Sequence, residues 1–317
     1  MQGNEEKKHN IRGHKILLAS VLCLFGFCLL AQKPVQNKQS RPQQEAKAQA
    51  PKKQQAKSKV YLIHSDMLRK DSRHPDAQVV TGNVVFRHDS VYMYCDSAYY
   101  YDKLGSFEAF SNVKMNQGDT LFLYGDRLYY DGNTQIAEVR NNVRMENRNT
   151  TLLTDSLNYD RLYNLGYFFD GGTLMDEQNV LTSEWGEYNP STKQSVFNYN
   201  VKLVNPQFTL TSDTLEYNTQ SKVAEIVGPS DILSDNNHIY SEQGTYNTAT
   251  GKAALYQRSI ITNDAKQLTG DTLFYDRNTG VGEAFSHMEM RDTINKNMMT
   301  GEYGYYNEKT KYAFATN

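Results

Sequence analysis

The chain has 317 residues, 38% of them hydrophobic and 12% aromatic, with 34 Lys and Arg against 36 Asp and Glu and a formal net charge of −2. That apolar content over that length excludes a wholly disordered protein. Three cysteines exclude a disulfide scaffold.

Residues 1–31 open with a basic stretch holding Lys7, Lys8, Arg12 and Lys15, followed by sixteen almost wholly apolar residues from Ile16 to Ala31. This is the layout of a secretory signal peptide. The apolar run is slightly short of the roughly 17–25 residues of a bilayer span. Leu29, however, stands where cleavage after Ala31 prefers a small residue. The reading is a cleaved signal, with retention as an N-terminal membrane anchor as the alternative. Leu22 before Cys23 and Phe27 before Cys28 are not the small residues of a lipoprotein signal.

Residues 32–59 are rich in Gln, Lys, Ala and Pro and cannot build a core, which predicts a disordered linker. It is basic, with eight Lys and Arg against one Glu. Residues 60–317 are left with 22 basic and 33 acidic residues, about −11. An acidic body makes a nucleic-acid partner improbable on electrostatic grounds.

From Val60 onward a phrase recurs about every 29 residues: small residue, acid, any residue, Leu or Gly, any residue, Tyr, Asp or Asn. The acid falls at Asp66, Asp96, Asp126, Asp155, Glu184, Asp213, Glu242, Asp271 and Glu302. Such self-similarity predicts a modular body of about nine units. Within each unit apolar residues alternate, as in Asp213-Thr214-Leu215-Glu216-Tyr217-Asn218 and Ala284-Phe285-Ser286-His287-Met288-Glu289-Met290, which is the period of half-buried strands. Between them lie turns such as Asn247-Thr248-Ala249-Thr250-Gly251. No sustained helical stripe follows residue 60. The expectation is an all-β body, an elongated twisted jelly-roll or solenoid of two facing sheets. From Asp155 on, acid with Leu alternates with Glu with Gly (Gly186, Gly244, Gly304). That alternation suggests successive units in unlike environments, such as opposite sheets, with Gly making room for Leu.

The recurrent acids have neither the spacing nor the Gly of calcium loops, so they read as structural acceptors of backbone hydrogen bonds at a turn or bulge, with no metal. Cys95 fills a small-residue position, and His287 stands where other units carry Asn112, Asn142 and Asn200. Trp185 reads as packing rather than a sugar platform. No nucleophile elbow, phosphate loop, dinucleotide fingerprint or zinc-protease motif is present, which points away from catalysis and from any cofactor.

The stretch Thr120-Leu121-Phe122-Leu123-Tyr124-Gly125-Asp126-Arg127-Leu128-Tyr129-Tyr130-Asp131, continued through Ile136-Ala137 to Asn142-Val143, is echoed by Leu268-Thr269-Gly270-Asp271-Thr272-Leu273-Phe274-Tyr275-Asp276. Over residues 60–317 it resembles the OstA-like family of envelope proteins, which includes the periplasmic lipopolysaccharide-transport bridge protein and its inner- and outer-membrane relatives. The chain is longer than the simplest bridge protein and carries the Gln/Lys linker.

The resemblance implies a periplasmic protein whose two sheets open like a V and hold the acyl chains of lipopolysaccharide or a related glycolipid. It also implies partners with OstA-like domains in both membranes and end-to-end self-association. The inward parity that would line such a groove comprises Val113, Met115, Leu128, Val143, Met145, Leu157, Val201, Leu203, Leu215, Leu273 and Met288. Parity alone leaves a dry core equally open. Two other readings remain: a structural or adhesive spacer without lipid, and a membrane-anchored relative of the bridge protein.

Overall fold

The computed structural model describes residues 58–234 and 237–317; the signal at 1–31 and nearly all of the linker at 32–59 lie outside them. Among the described residues every helix-or-strand element is a strand. All pairings are antiparallel and join strands close in sequence, so the chain is one long meander.

Its unit is a strand of 11 or 12 residues, such as Ser106–Gln117, Leu121–Asp131, Ile136–Asn147 and Thr150–Asp160. A straight strand of that length would span roughly 37 Å. Instead each bends at its middle, where the pairing register slips between Phe110 and Val113, Tyr124 and Arg127, and Arg140 and Val143. The slip is made by residue pairs in the left-handed region: Ser111 and Asn112 (φ 62° and 50°), Asn141 and Asn142 (62° and 49°), Tyr199 and Asn200 (66° and 54°), Ser286 and His287 (58° and 50°). Inserted residues of this kind bend a strand, and Asn tolerates the conformation better than most side chains. Elsewhere the strand breaks outright, as between Asn179–Ser183 and Trp185–Tyr188, with Glu184 at the break.

Every unit therefore lies half in one sheet and half in the other, and the sheets share a line of corners. The alternation of Leu and Gly does not mark units in opposite sheets. Successive units stack equivalently because each strand crosses the corner. The space at Gly is taken by different side chains: a Cβ at Gly186 would meet Phe168 Cζ at 2.6 Å, Gly304 lies against the Met288 side chain, and only at Gly244 is the neighbour a Leu, Leu255 Cδ2 at 3.1 Å. Across the sandwich, a Cβ at Gly282 would lie 3.1 Å from Leu268 Cδ2, close enough to show that the two sheets are in contact. The result is an all-β body of two facing sheets, as the strand periodicity predicts.

Candidate functional site

The interior is one continuous apolar cluster running from Val60 to Tyr306. Val113, Met115, Leu128, Val143, Met145, Leu157, Val201, Leu203, Leu215, Leu273 and Met288 all lie in it, none more than 3% exposed. The sequence-derived inner row is thus brought together in one place. It is closely packed: the void enclosed by Ile261, Leu268, Met290 and Tyr306 measures about 10 Å³, which is about one water.

At the corner edge the sheets are continuous backbone, and at the opposite edge only side chains join them. This second edge is a seam. Along it stand Tyr100, Tyr130, Tyr159, Tyr188, Tyr217, Tyr246, Tyr275 and Tyr306, all at most 5% exposed. Most reach toward hairpin turns of the facing sheet. Tyr130 Oη meets His88 Nδ1 at 2.6 Å, Tyr188 donates to Asn147 Oδ1 at 3.3 Å, and Tyr217 donates to Asp176 Oδ2 at 2.8 Å. Asn237 Nδ2 donates to Tyr275 Oη at 2.8 Å, and Tyr306 donates to Asn263 Oδ1 at 3.3 Å. Gln117 closes the Tyr159 unit by donating to Asn164 Oδ1 at 2.7 Å. Buried hydroxyls need such partners, since each left unsatisfied would cost about 1–3 kcal/mol.

The seam is not uniform. Lys222 Nζ lies 2.8 Å from Asp176 Oδ2 and 3.2 Å from Glu177 Oε1, with Asp176 only 2% exposed, so this unit carries a buried ion pair. Burial, and then the Asp176 carboxylate that accepts its proton, push the Tyr217 hydroxyl well above the usual phenol range. At the other unusual unit, Arg161 donates to Tyr130 Oη and lies 3.1 Å from His88 Nδ1. Burial first, and then Arg161, hold the His88 imidazole below its ordinary value.

The repeated acids lie along the outside of the corner line rather than in the interior, and most are exposed. Five accept a hydrogen bond from the corner residue of the next strand: Asn83 to Asp66 (3.0 Å), Asn112 to Asp96 (2.7 Å), Asn142 to Asp126 (2.6 Å), Asn200 to Glu184, and His287 to Asp271 (2.6 Å). The donors are chiefly side-chain amides and an imidazole, where the sequence suggested backbone. Asp155 accepts from the Asn142 backbone at 3.2 Å. Asp213 has Pro229 at the matching position and makes no side-chain hydrogen bond among the described residues.

Sequence reasoning missed the turn residues of the seam, His88, Gln117, Asn147, Asp176 and Asn263. Their signal was available: they recur at 29- or 30-residue steps, or a multiple, like the acids. Among the described residues no helix is long and apolar enough to cross a membrane, and no group of three His, Cys, Asp or Glu could hold a metal ion.

The sequence model of a family described as OstA-like protein matches residues 57–213 and 208–271. No curated protein matches. Among solved structures the chain is similar to LptH, the LptA homologous periplasmic component of the conserved lipopolysaccharide transport device from Pseudomonas aeruginosa. The identity is 14%, over 40% of this chain and 85% of that one, with a TM-score of 0.30. The family match covers well over half of the 317 residues and contains the acids, corners and tyrosines from Asp66 to Asp271: the chain belongs to the OstA-like family.

Proposed function

We propose that the domain is a non-enzymatic carrier that holds the acyl chains of lipopolysaccharide or a related glycolipid between its sheets, in the periplasm, on the way to the outer membrane. One observation carries this reading: a single apolar interior runs through the repeats, and along one whole edge only side chains close it. Each methylene removed from water returns about 0.8 kcal/mol. A neutral seam hydrogen bond contributes about 1 kcal/mol net. An acyl chain of about a dozen methylenes therefore outweighs the parting of the seam over two or three units.

End-to-end pairing with a second copy or with OstA-like domains of membrane partners belongs to the same proposal. Among the described residues Tyr312–Thr316 pairs only with Asn297–Asn307, and Tyr61–His64 and Met67–Asp71 pair only with His74–His88, so within them both terminal strands offer backbone groups for pairing.

Photo-crosslinking amino acids at Met115, Leu157 and Leu215 are expected to capture lipid in cells, and those at Lys114, Arg127 and Lys202 to capture none. Equal labelling of the two sets, or none at all, would favour the spacer reading, to which the dense packing of the interior already lends support.

A further inference from the structure

The repeat allows two neighbouring seam units to be compared atom for atom, because Asn147 and Asp176 are one repeat apart, as are Arg148 and Glu177, and Lys193 and Lys222. In the second unit the lysine faces two carboxylates, Asp176 at 2.8 Å and Glu177 at 3.2 Å. In the first unit the equivalent lysine faces an amide and a guanidinium. Lys193 Nζ donates to Asn147 Oδ1 and has no carboxylate within ion-pair distance among the described residues. Among the described residues Arg148 makes no ion pair either. Burial first, and then Arg148, lower the Lys193 ammonium from its ordinary value, which reflects a charge drawn into the protein beside another of the same sign.

Lys193 has φ 67° at a turn position that is Gly105, Gly251 and Gly280 in three other units, with φ 66°, 69° and 70°, and Gln135, Asn164, Lys222 and Lys311 in four more, with φ 60°, 52°, 61° and 58°. Glycine is the least strained residue there. Both basic groups open onto a cleft of about 470 Å³ on the seam, which also takes in Asn149, Thr150, Thr219 and Gln220 and the ion-paired Asp176, Glu177 and Lys222 of the next unit.

We propose that Lys193 and Arg148, with Asn149, Thr150 and Thr219, bind a phosphate monoester at the seam, occupying the place that the Asp176 and Glu177 carboxylates take one repeat later. A cationic pocket at the lip of an apolar interior suits an amphiphile whose chains lie inside and whose phosphorylated headgroup stays at the mouth. This rests on the lipid-carrier reading, and the shared chemistry is also that of free phosphate.

The test uses the full chain and three probes: dioctanoyl phosphatidic acid, dioctanoylglycerol and inorganic phosphate, titrated by calorimetry. The phosphatidate should bind about tenfold or more tightly than the diacylglycerol. Lys193→Gly, which the backbone favours, and Asn147→Asp, which supplies the counter-ion of the next unit, should each abolish that difference, and Lys193→Gly should leave diacylglycerol binding intact. Equal binding of the two lipids, or a preference that survives both variants, overturns the phosphate site and leaves the carrier reading standing. Binding of inorganic phosphate alone, lost in Lys193→Gly, supports the site and overturns the carrier reading. No binding of any probe overturns both.

Discussion

At the scale of the residue, the corner explains the recurrent acid in five of the nine units. A left-handed pair at the bend turns an Asn or His side chain back over the preceding strand, and the acid there accepts its proton, as Asp126 does from Asn142 at 2.6 Å. His287 does the same to Asp271, which holds its imidazole above its ordinary value. Exposure limits the gain, since an exposed charge-assisted contact is screened by water. Removing the amide with Asn142→Ala is expected to cost about 0.5–1.5 kcal/mol, because it deletes the bond and puts alanine at φ 49°. Asp213→Asn, where no amide faces the acid, is expected to change stability by less than about 0.5 kcal/mol. Urea unfolding of both variants checks the pair; equal costs would mean that the acids act through something other than the corner.

At the scale of the element, strands and turns were legible in the sequence because period-two burial and the Asn, Asp, Pro and Gly of the turns are local signals. The inner row was legible for the same reason: Leu157 and Leu215 lie where parity puts them. The bend was not. It depends on two consecutive left-handed residues within what reads as a single strand, and Ser111 or Tyr199 carries no sequence mark of that conformation. The seam was not legible either, since Tyr130 and His88 stand 42 residues apart and meet only once the strands have folded over the corner.

Chemistry at this seam predicts a pH effect. His88 is fully enclosed, Arg161 faces it, and its Nε2 has no close hydrogen-bond partner among the described residues, while Asp89, 3.8 Å from Nε2, and then the Ser58 backbone oppose the shift only in part. The folded value lies below the ordinary 6.5, so above 6.5 both states are neutral and the residue adds no pH dependence. As pH falls below 6.5 the unfolded chain takes up a proton that the folded one refuses, and stability declines until the folded value is passed. His88→Asn places at this turn the residue that serves Tyr188 at Asn147, and it should flatten that decline. Melting temperatures of both proteins from pH 7.5 to 5.0 check it; parallel curves would mean that His88 protonates in the folded state without cost.

At the scale of the whole molecule, the two edges of the sandwich must behave differently. The corner edge is covalent backbone with ladder hydrogen bonds on both sides, and it can open only by unfolding. The seam edge can part by breaking side-chain contacts, least readily at Asp176 and Lys222, where an ion pair with a buried carboxylate must also be separated. Ligand entry is therefore expected at neutral units such as that of Gln117 and Asn164, whose side chains meet at 2.7 Å across the seam.

Cysteines at those two positions, bridged by a short bismaleimide, would hold the edge shut. The native Cys95 should stay unmodified, because burial pushes its thiol up to about 12. Uptake of a fluorescent acyl probe should fall severalfold on bridging. A control bridge between cysteines at Leu104 and Asn133, neighbouring turns of the same sheet joined by a 2.8 Å hydrogen bond, should leave it unchanged. If the cross-seam bridge has no more effect than the control, acyl chains enter by another route, and the open ends of the stack, where Met67 and Leu68 are more than half exposed, become the place to look.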